Sequence, residues 1–435
     1  MTTNLSPKSL CSMLAFALAA CGSDDPEATT QPKARDPLVL SAQALEAEEW
    51  PSYPTDFQFL PGTQELLVLD KAGSVLHYEL GGDAPGTLTL RGRFEIPEVH
   101  DPLDCGLISI VLDPDFAENQ YFYLGYCTSD TASGVYRYEF TDQDYESIAS
   151  TRREVLSVED QKATRPWHNV GWMGFAPRPE DGERPMYVLF GDKVRDGNAQ
   201  DESSLLGAVA RILPDRGDSG GYRAAPGNPG EMDSKIHPAS FAWGLRSPWR
   251  GGFDRFGHVV VGDVGLYDFE EVNVVSKPGM NFGWADVEGP CVPQSEADGA
   301  GGSGSARCDE FQDPTTYFTH DSDDAFVLAD PEATAALHRV VWVSSTYQGG
   351  GEVDPYVGAL DDKLLFGDSC TGFARMLEVD QDGAAVTDSP IGHLGPISSV
   401  RQHGDGYLYA LRMAGCTSEE TGTGAFVRLT PKAPE

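Results

Sequence analysis

Three kinds of side chain in this sequence have the chemistry of a reactive site. His168 stands in a Trp-His-Asn-Val-Gly-Trp string, Arg246 in Gly-Leu-Arg-Ser-Pro-Trp-Arg, and Glu270 and Glu271 are adjacent in an acidic, glycine-rich segment. An imidazole suits proton removal because its pKa is ordinarily close to neutral. A fixed guanidinium stabilises developing negative charge, and paired carboxylates suit a hard cation such as calcium. These residue types are suited to proton transfer, to stabilisation of negative charge and to cation binding.

Each of these residues also has a structural alternative. His168 could be a surface histidine in a turn, and Arg246 could simply pair with an acid. The two glutamates could be a solvated pair, or they could hold Arg246 or Arg250. Spacing alone does not decide between these interpretations, so the surrounding sequence must.

Several longer strings occur together in one order along the chain. Residues 238–254 read P-A-S-F-A-W-G-L-R-S-P-W-R-G-G-F-D, and residues 259–273 read V-V-V-G-D-V-G-L-Y-D-F-E-E-V-N. Three more strings, at residues 104–116, 168–172 and 191–207, precede them. In content and order they resemble the glucose/sorbosone dehydrogenase family, the soluble quinoprotein sugar dehydrogenases.

The resemblance implies a reaction and roles for individual residues. It implies that His168 is the general base that removes the C1 hydroxyl proton of an aldose while hydride passes to pyrroloquinoline quinone (PQQ), and that Arg246 lies beside the quinone. The backbone carbonyls of Gly265 and Leu266 would bind a calcium ion, and Glu270 and Glu271 fall where the family keeps acids. The implied partners are therefore a sugar substrate and an unidentified electron acceptor.

The same resemblance places further residues at the cofactor, and several of them depart from the family pattern. The implied cofactor contacts are Asp104, Asn169, Arg246 and Ser247. Trp167 replaces an acid of the glucose-oxidising members, Asp104 replaces a glutamine, and Ser247 replaces an asparagine. These substitutions weaken the inference from family to cofactor geometry.

The most serious departure concerns three cations that hold the cofactor's carboxylates in the family. Their positions fall on Cys370, Pro396 and Ser398. Each lost charge-assisted contact weakens binding by about 1.5 to 3 kcal/mol. PQQ would therefore bind far more weakly unless other cations substitute, the candidates being Arg401, Arg412 and Lys193.

These departures leave two further functions open. The cysteines and the Gly-Leu-Ile-Ser-Ile string also resemble animal hedgehog-interacting proteins, in which the same propeller is a binding module for a protein or glycan. A lactonase-like calcium propeller that hydrolyses an ester is a third possibility, although no spacing favours it. The pairing of His168 with Arg246 favours the enzyme, and the missing cations favour the binding module.

A repeated strand pattern predicts the fold class. Short β-branched or aromatic stretches bounded by Gly or Asp recur about every 50 to 70 residues; they are Glu65–Leu69, Gln120–Tyr126, Pro185–Phe190, His258–Gly262, Lys363–Gly367 and Gly406–Leu411. Helical spacing occurs only around Ala199–Leu213. We expect an all-β chain, a six-bladed β-propeller over residues 38–435, with long inter-strand loops such as Arg216–Lys235 and Gln294–Phe326.

Cysteine number and position indicate an oxidising compartment. Besides Cys11 and Cys21, six cysteines remain, an even number that predicts three disulfides. Cys291 and Cys308 flank a Gly/Ser/Asp loop and are the most plausible pair, after which Cys105 would pair with Cys127 and Cys370 with Cys416. Metal ligation is the weaker alternative because no Cys-x-x-Cys string occurs.

The N-terminus and the net charge predict the location of the protein. Residues 1–20 resemble a lipoprotein signal peptide that ends Leu-Ala-Ala before Cys21, the expected lipidation site, although an ordinary cleaved signal is the alternative. Residues 21–37 are polar and predict a flexible tether. A net charge of −37 argues against nucleic acid as a partner. We expect a bacterial cell-envelope protein that meets the membrane only through its lipid.

Overall fold

The chain forms almost only β-strands, in a computed structural model that describes residues 37–82, 86–180, 182–195, 197–293, 304–305, 307–320, 339–349, 353–416 and 424–432. The predicted signal peptide, the Cys21 lipidation site, nearly all of the tether and parts of the 294–326 loop lie outside these ranges. Within them, no helix is both long and apolar enough to cross a lipid bilayer.

The strands are numbered in chain order, and their bounds are β1 Leu40–Ala44, β2 Glu46–Ala47, β3 Pro54–Phe59, β4 Glu65–Asp70, β5 Ser74–Gly81, β6 Thr87–Glu95, β7 Leu107–Leu112, β8 Tyr121–Cys127, β9 Ala132–Glu139, β10 Arg153–Glu159, β11 Val170–Phe175, β12 Met186–Phe190, β13 Ala208–Pro214, β14 Tyr222–Ala224, β15 Ser240–Trp243, β16 Pro248–Phe253, β17 Val259–Asp263, β18 Phe269–Val275, β19 Met280–Asn281, β20 Val292–Pro293, β21 Gly304–Ser305, β22 Thr316–Thr319, β23 Val341–Val343, β24 Leu364–Asp368, β25 Phe373–Val379, β26 Ala385–His393, β27 Ile397–Gln402, β28 Leu408–Arg412 and β29 Ala425–Pro431. The helices are single turns, at Phe116–Asn119 (α1) and Tyr145–Ile148 (α2), with short 3₁₀ turns at Ala149–Thr151, Pro229–Glu231 and Cys308–Glu310.

Six sheets form the blades of a propeller, as the sequence predicts. Blades 1 to 5 begin with β3, β7, β11, β16 and β23, and blade 6 consists of β27, β28 and β29 closed by the N-terminal strand β1. The first strands of successive blades pack against one another in a closed ring that returns from β27 to β3. This ring surrounds the central channel.

Each of the six predicted strands is the second strand of one blade. They correspond to β4, β8, β12, β17, β24 and β28, each within two residues of the predicted ends. These strands are buried on both faces, so they read as continuous apolar runs and not as alternating ones. The helical spacing around Ala199–Leu213 was misleading, because this stretch forms turns followed by β13.

Apolar packing joins each blade to the next. Six buried clusters occur, one at each interface between neighbouring blades. The three predicted disulfides are confirmed with the predicted pairing: Cys105–Cys127, Cys291–Cys308 and Cys370–Cys416.

Candidate active site

A cavity of about 190 Å³ lies at the end of the channel where the first strands begin. Its wall contains four of the predicted site residues: Asp104, His168, Asn169 and Ser247. They precede or open β7, β11 and β16, so three blades bring them together from positions more than 140 residues apart. The cavity wall also includes Lys71 and Trp249, which sequence reasoning did not select.

His168 is a buried imidazole held by a carboxylate. Its side chain is 7 % exposed, and Nδ1 lies 2.6 Å from Asp192 Oδ1. A carboxylate only accepts, so Nδ1 carries the proton and Nε2 is left as the basic nitrogen. The surface-histidine alternative is therefore wrong. Gly191 permits this contact, because a Cβ there would lie 2.6 Å from the backbone of His168.

Asp192 connects the imidazole to the arginine region. Its Oδ2 accepts the indole N–H of Trp284 at 2.7 Å, and Arg246 lies 5.5 Å from the centre of the Trp284 ring. The backbone N–H of Asp192 also donates to the carbonyl of Arg246 at 2.9 Å. Asp192 stood in a Gly-Asp string of the family-like pattern, which was the only signal in the sequence that could have found it.

Arg246 is fixed by backbone carbonyls and not by an acid. Its Nη1 donates to Val264 O at 2.8 Å and to Gly265 O at 2.7 Å. Asp263 instead accepts the backbone N–H groups of Arg246 and Ser247 at 2.9 and 2.7 Å. Among the described residues, no acidic side chain pairs with this guanidinium, and Arg246 lies next to the cavity-lining Ser247 without lining the cavity itself.

The loop that carries Gly265 and Leu266 is held by a residue that the sequence analysis missed. Glu288 is 5 % exposed, and its Oε1 accepts the backbone N–H groups of four consecutive residues, Leu266 to Phe269, at 2.8 to 3.3 Å. Successive N–H groups around one anion form a compact nest. Leu266 itself is 43 % exposed at the rim.

Glu270 and Glu271 occupy buried positions behind this loop. Glu270 contacts His320 Nε2 at 2.8 Å and the backbone N–H of Val341 at 2.9 Å. Glu271 accepts from Asn273 and Gly289 at 3.0 and 2.6 Å. Burial raises the pKa of Glu270 to about 7. The two alternatives, a solvated pair or partners of Arg246 and Arg250, are wrong.

The predicted calcium site is not assembled from side chains. Among the residues described, no group of three or more His, Cys, Asp and Glu side chains could hold a metal ion. The carbonyl of Gly265, a predicted ligand, accepts the guanidinium of Arg246. Calcium binding at Gly265, Leu266, Glu270 and Glu271 stays a prediction, and one of its proposed oxygens already accepts a hydrogen bond from Arg246.

The cations proposed to replace the missing three do not line the cavity. Arg401 pairs with Asp56 at 3.1 Å and lines a separate cavity at the far end of the first strands. Arg412 donates to Leu394 O at 2.6 Å. Lys193 lies behind Asn169, where its Nζ contacts Oδ1 of that residue. Cys370 is in a disulfide with Cys416, which lines the cavity.

Lys71 supplies a cation at the cavity wall from blade 1. It lies between β4 and β5, and its Nζ donates to the carbonyl of Asp101. Burial lowers its pKa, while the charges of Asp101 and Asp104 oppose that shift. The position was missed because the family pattern places its cations in blades 5 and 6.

Known proteins match this architecture. The family described as Glucose / Sorbosone dehydrogenase matches residues 52–418. "Aldose sugar dehydrogenase YliI" of Escherichia coli is 22 % identical over 406 residues, which cover 91 % of this chain and 94 % of that protein. "HIPL1 protein" of Arabidopsis thaliana is 27 % identical over 257 residues, 47 % of this chain; the match spans only 36 % of the plant protein.

A solved structure has the same fold. The PQQ-bound aldose sugar dehydrogenase of Streptomyces coelicolor superimposes with a TM-score of 0.64 and 21 % identity, covering 91 % of this chain and 99 % of that one. A six-bladed propeller with a buried histidine at the channel mouth thus coincides with a sequence match over most of the chain. The protein belongs to the Glucose / Sorbosone dehydrogenase family.

The cavity can be tested for its fit to PQQ. The indole Nε1 of Trp249 is buried and has no hydrogen-bond partner among the described residues, so it can donate to a ligand oxygen. Lys71 offers one cation for a carboxylate, and His168 offers Nε2, which contacts no other described side chain. Among its described residues, the cavity wall thus offers donors for the cofactor, with one lysine where the family pattern has three cations.

Proposed function

We propose that this protein is a dehydrogenase that oxidises aldose sugars at C1. The observation that carries the proposal is the buried contact between His168 and Asp192, with Nε2 of His168 directed away from that contact at a cavity wall. Nε2 takes the proton of the C1 hydroxyl, and Asp192 stabilises the imidazolium that results. PQQ, when bound, supplies the chemistry that accepts the hydride from C1.

The chain's own residues would bind and orient the reactants. Trp249 Nε1 and Lys71 would hold the cofactor, together with Ser247 and Asn169 at the wall. Arg246 would stabilise negative charge from a position already fixed by two carbonyls, so that little reorganisation accompanies the reaction. The Cys370–Cys416 disulfide closes the side on which the family has its carboxylate-binding lysine.

A titration tests this function directly. PQQ is added to the calcium-loaded protein while tryptophan fluorescence and cofactor absorbance are followed, and aldoses are then added. We expect fluorescence quenching by binding near Trp249, and bleaching of the oxidised cofactor by at least one aldose. Absence of both signals would contradict the proposal.

Calcium is the second cofactor that we propose, at the loop carrying Gly265 and Leu266. An ion that binds only the folded state stabilises it by about 2.7 kcal/mol at a hundredfold excess over Kd. Chelation should therefore lower the melting temperature by several degrees, and Glu271→Gln tests the likeliest carboxylate. If the chelator has no effect and elemental analysis finds no metal, calcium has no role here.

The alternative is a binding module without redox activity. In its favour, Cys370, Pro396 and Ser398 stand where the family pattern has cofactor-binding cations, and Lys71 is the only lysine or arginine among the described residues of the cavity wall. This alternative predicts a folded protein that neither quenches with PQQ nor reduces it with sugars. A protein or glycan ligand would then bind at the propeller face.

We further propose a lipid-anchored location in the bacterial envelope. The support is the Leu-Ala-Ala-Cys string ending at Cys21, the polar residues that follow, and the disulfides, which suit an oxidising compartment. Cys21→Ser should release the protein from the membrane fraction or block its maturation. Unchanged membrane association, or a different mature N-terminus, would exclude the anchor.

A further inference from the structure

Lys193 is a buried lysine directly behind the cavity wall. Its side chain is 1 % exposed, and its Nζ contacts Oδ1 of Asn169. An ammonium has three N–H donors, yet this oxygen is the only acceptor it meets among the described residues. Burial of an amine with so little compensation is unusual for lysine and calls for a reason beyond packing.

Two neighbouring contacts tie this lysine to the histidine. His168 contacts Asp192, and the next residue on each side repeats the arrangement, since Asn169 contacts Lys193. A backbone hydrogen bond of 2.9 Å from Gly191 N to Asn169 O runs alongside. The two pairs of consecutive residues are therefore connected by both side-chain contacts and a backbone hydrogen bond. Through its contact with Asn169, Lys193 restrains the backbone next to His168.

The backbone of this unit adopts unfavourable conformations. His168, Lys193 and Val194 have φ values of +51°, +58° and +56°. A β-branched residue in the left-handed region is a genuine outlier. The conformation is held by Val194 N, which donates to Asp192 Oδ1 at 2.7 Å, and by Asn198 Nδ2, which donates to Asp192 O at 2.8 Å. Strain of this kind persists where the surrounding structure enforces it, often at functional sites.

Among the described residues, no carboxylate forms an ion pair with the Lys193 ammonium. Asp192 directs its carboxylate to His168, Trp284 and Val194, and Asp160 is paired with Arg195 at 2.6 Å. Asp130 and Asp160 act on the amine only from a distance, and burial lowers its pKa to about 8. At neutral pH the amine is therefore still charged, and it contacts Asn169, the residue that follows His168.

We infer that Lys193 is a positioning residue for the proposed general base: it fixes Asn169 and places a positive charge beside the imidazole that opposes protonation of His168. The role rests on the proposed function, in which His168 must be uncharged to accept the sugar proton. Removing this charge should leave the Asp192 carboxylate as the charged group in contact with the imidazole.

The test compares Lys193→Met with Lys162→Met, an exposed lysine on a nearby loop. The ¹H–¹³C signal of the His168 ring, assigned from its loss in His168→Gln, is followed against pH in each protein. We expect the titration midpoint to move upward by about one pH unit in Lys193→Met and to stay unchanged in Lys162→Met. The acidic limb of the rate profile with an aldose should move by the same amount.

Two outcomes separate this inference from its alternatives. Lys193→Arg keeps the charge and should keep the midpoint, whereas Lys193→Gln should reproduce the shift of Lys193→Met. If the natural protein and all four variants share one His168 titration midpoint, Lys193 is only a packing residue. The inference is then wrong, whatever the melting temperatures. A chain that shows the midpoint shift but never oxidises a sugar would confirm the positioning and contradict the proposed function.

Discussion

Nδ1 of His168 is hydrogen-bonded to Asp192, and Nε2 is the nitrogen proposed to act as the base. Because Nδ1 is held 2.6 Å from Asp192, replacement by glutamine removes the base while leaving a polar side chain of similar size. We expect His168→Gln to lower turnover by about 10² to 10⁴ with an unchanged circular dichroism spectrum. Asp192→Asn should also lower turnover, because the amide no longer keeps the His168 proton on Nδ1. Steady-state rates with an aldose and PQQ measure both.

A full-rate His168→Gln enzyme would refute the assignment of the base. Loss of folding in His168→Gln would instead indicate a structural histidine. The two readouts therefore separate the catalytic role from the packing role.

Lys193 should make folding stability depend on pH in the alkaline range. Its folded pKa of about 8 is lower than the ordinary value of 10.5, so the unfolded chain binds more protons between these values. Stability must then rise as pH increases from about 8 to 10.5, by up to about 3 kcal/mol from this group. Urea unfolding at pH 7.5 and 10.5 should show this rise in the natural protein, and Lys193→Met should lack that part of it.

An identical pH slope in the two proteins would show that folding does not lower the pKa of Lys193. Lys162→Met serves as the control here as well, since that side chain is exposed.

The sequence predicted the site residues with chemical character but not the residues that orient them. His168 and Asn169 were found because they stand in a family-like string, and they do line the cavity. Asp192 stood in a similar string without an assigned role. Glu288 and Lys71 lie outside every string, and their roles come from chain folding that brings distant loops together. No local spacing records such contacts.

At the scale of single elements, the loop after β17 depends on one carboxylate. Glu288 accepts four backbone N–H groups from residues 266–269 and is 5 % exposed. Glu288→Ala leaves these donors without their acceptor, and hydrogen bonds to a charged group contribute about 1.5 to 3 kcal/mol each at most. We expect a total loss of about 3 kcal/mol in urea unfolding, because water will satisfy part of the exposed loop.

The control is Glu118→Ala, which removes an exposed carboxylate from α1. Hydrogen exchange should also accelerate at residues 266–269 in Glu288→Ala only. Equal stability of the two variants would show that the loop is held by other contacts.

The strands were predictable because local pattern and tertiary position agree. A second strand lies between two sheet neighbours and two blade interfaces, so an apolar run such as Met186–Phe190 has no alternative structure in which it is so well buried. Ala199–Leu213 misled because its apolar spacing is also satisfied by a turn leading into β13. Periodicity over so short a stretch does not separate these outcomes.

For the whole molecule, ring closure is a property that the repeat pattern only implies. The sequence predicts six similar units, but not that β1 joins β29 to complete blade 6. The closure pairs residues separated by almost the whole chain, and such pairing leaves no local signature. It explains why the first described strand belongs to the last blade.

One side chain connects four of the six blades across the channel. Arg250 on β16 is 2 % exposed, and it donates to Thr55 O at 2.7 Å, Ile108 O at 3.2 Å and Ser398 O at 2.5 Å. These carbonyls belong to β3, β7 and β27. Burial lowers the pKa of Arg250 to about 10, so the guanidinium remains charged at neutral pH. Its position makes it an internal bridge that closes the channel behind the cavity.

Arg250→Met should therefore destabilise the whole propeller rather than one blade. Three buried carbonyls lose their donor, and removing one member of such a network lowers the free energy of unfolding by about 3 to 5 kcal/mol. Arg250→Lys replaces the guanidinium by a single ammonium. Its free energy of unfolding should lie between those of Arg250→Met and the natural protein. Arg184→Met, at an exposed position, controls for loss of an arginine. Guanidinium unfolding should shift as one cooperative transition; a separate early transition, or a midpoint equal to that of Arg184→Met, would show that blade packing alone holds the ring together.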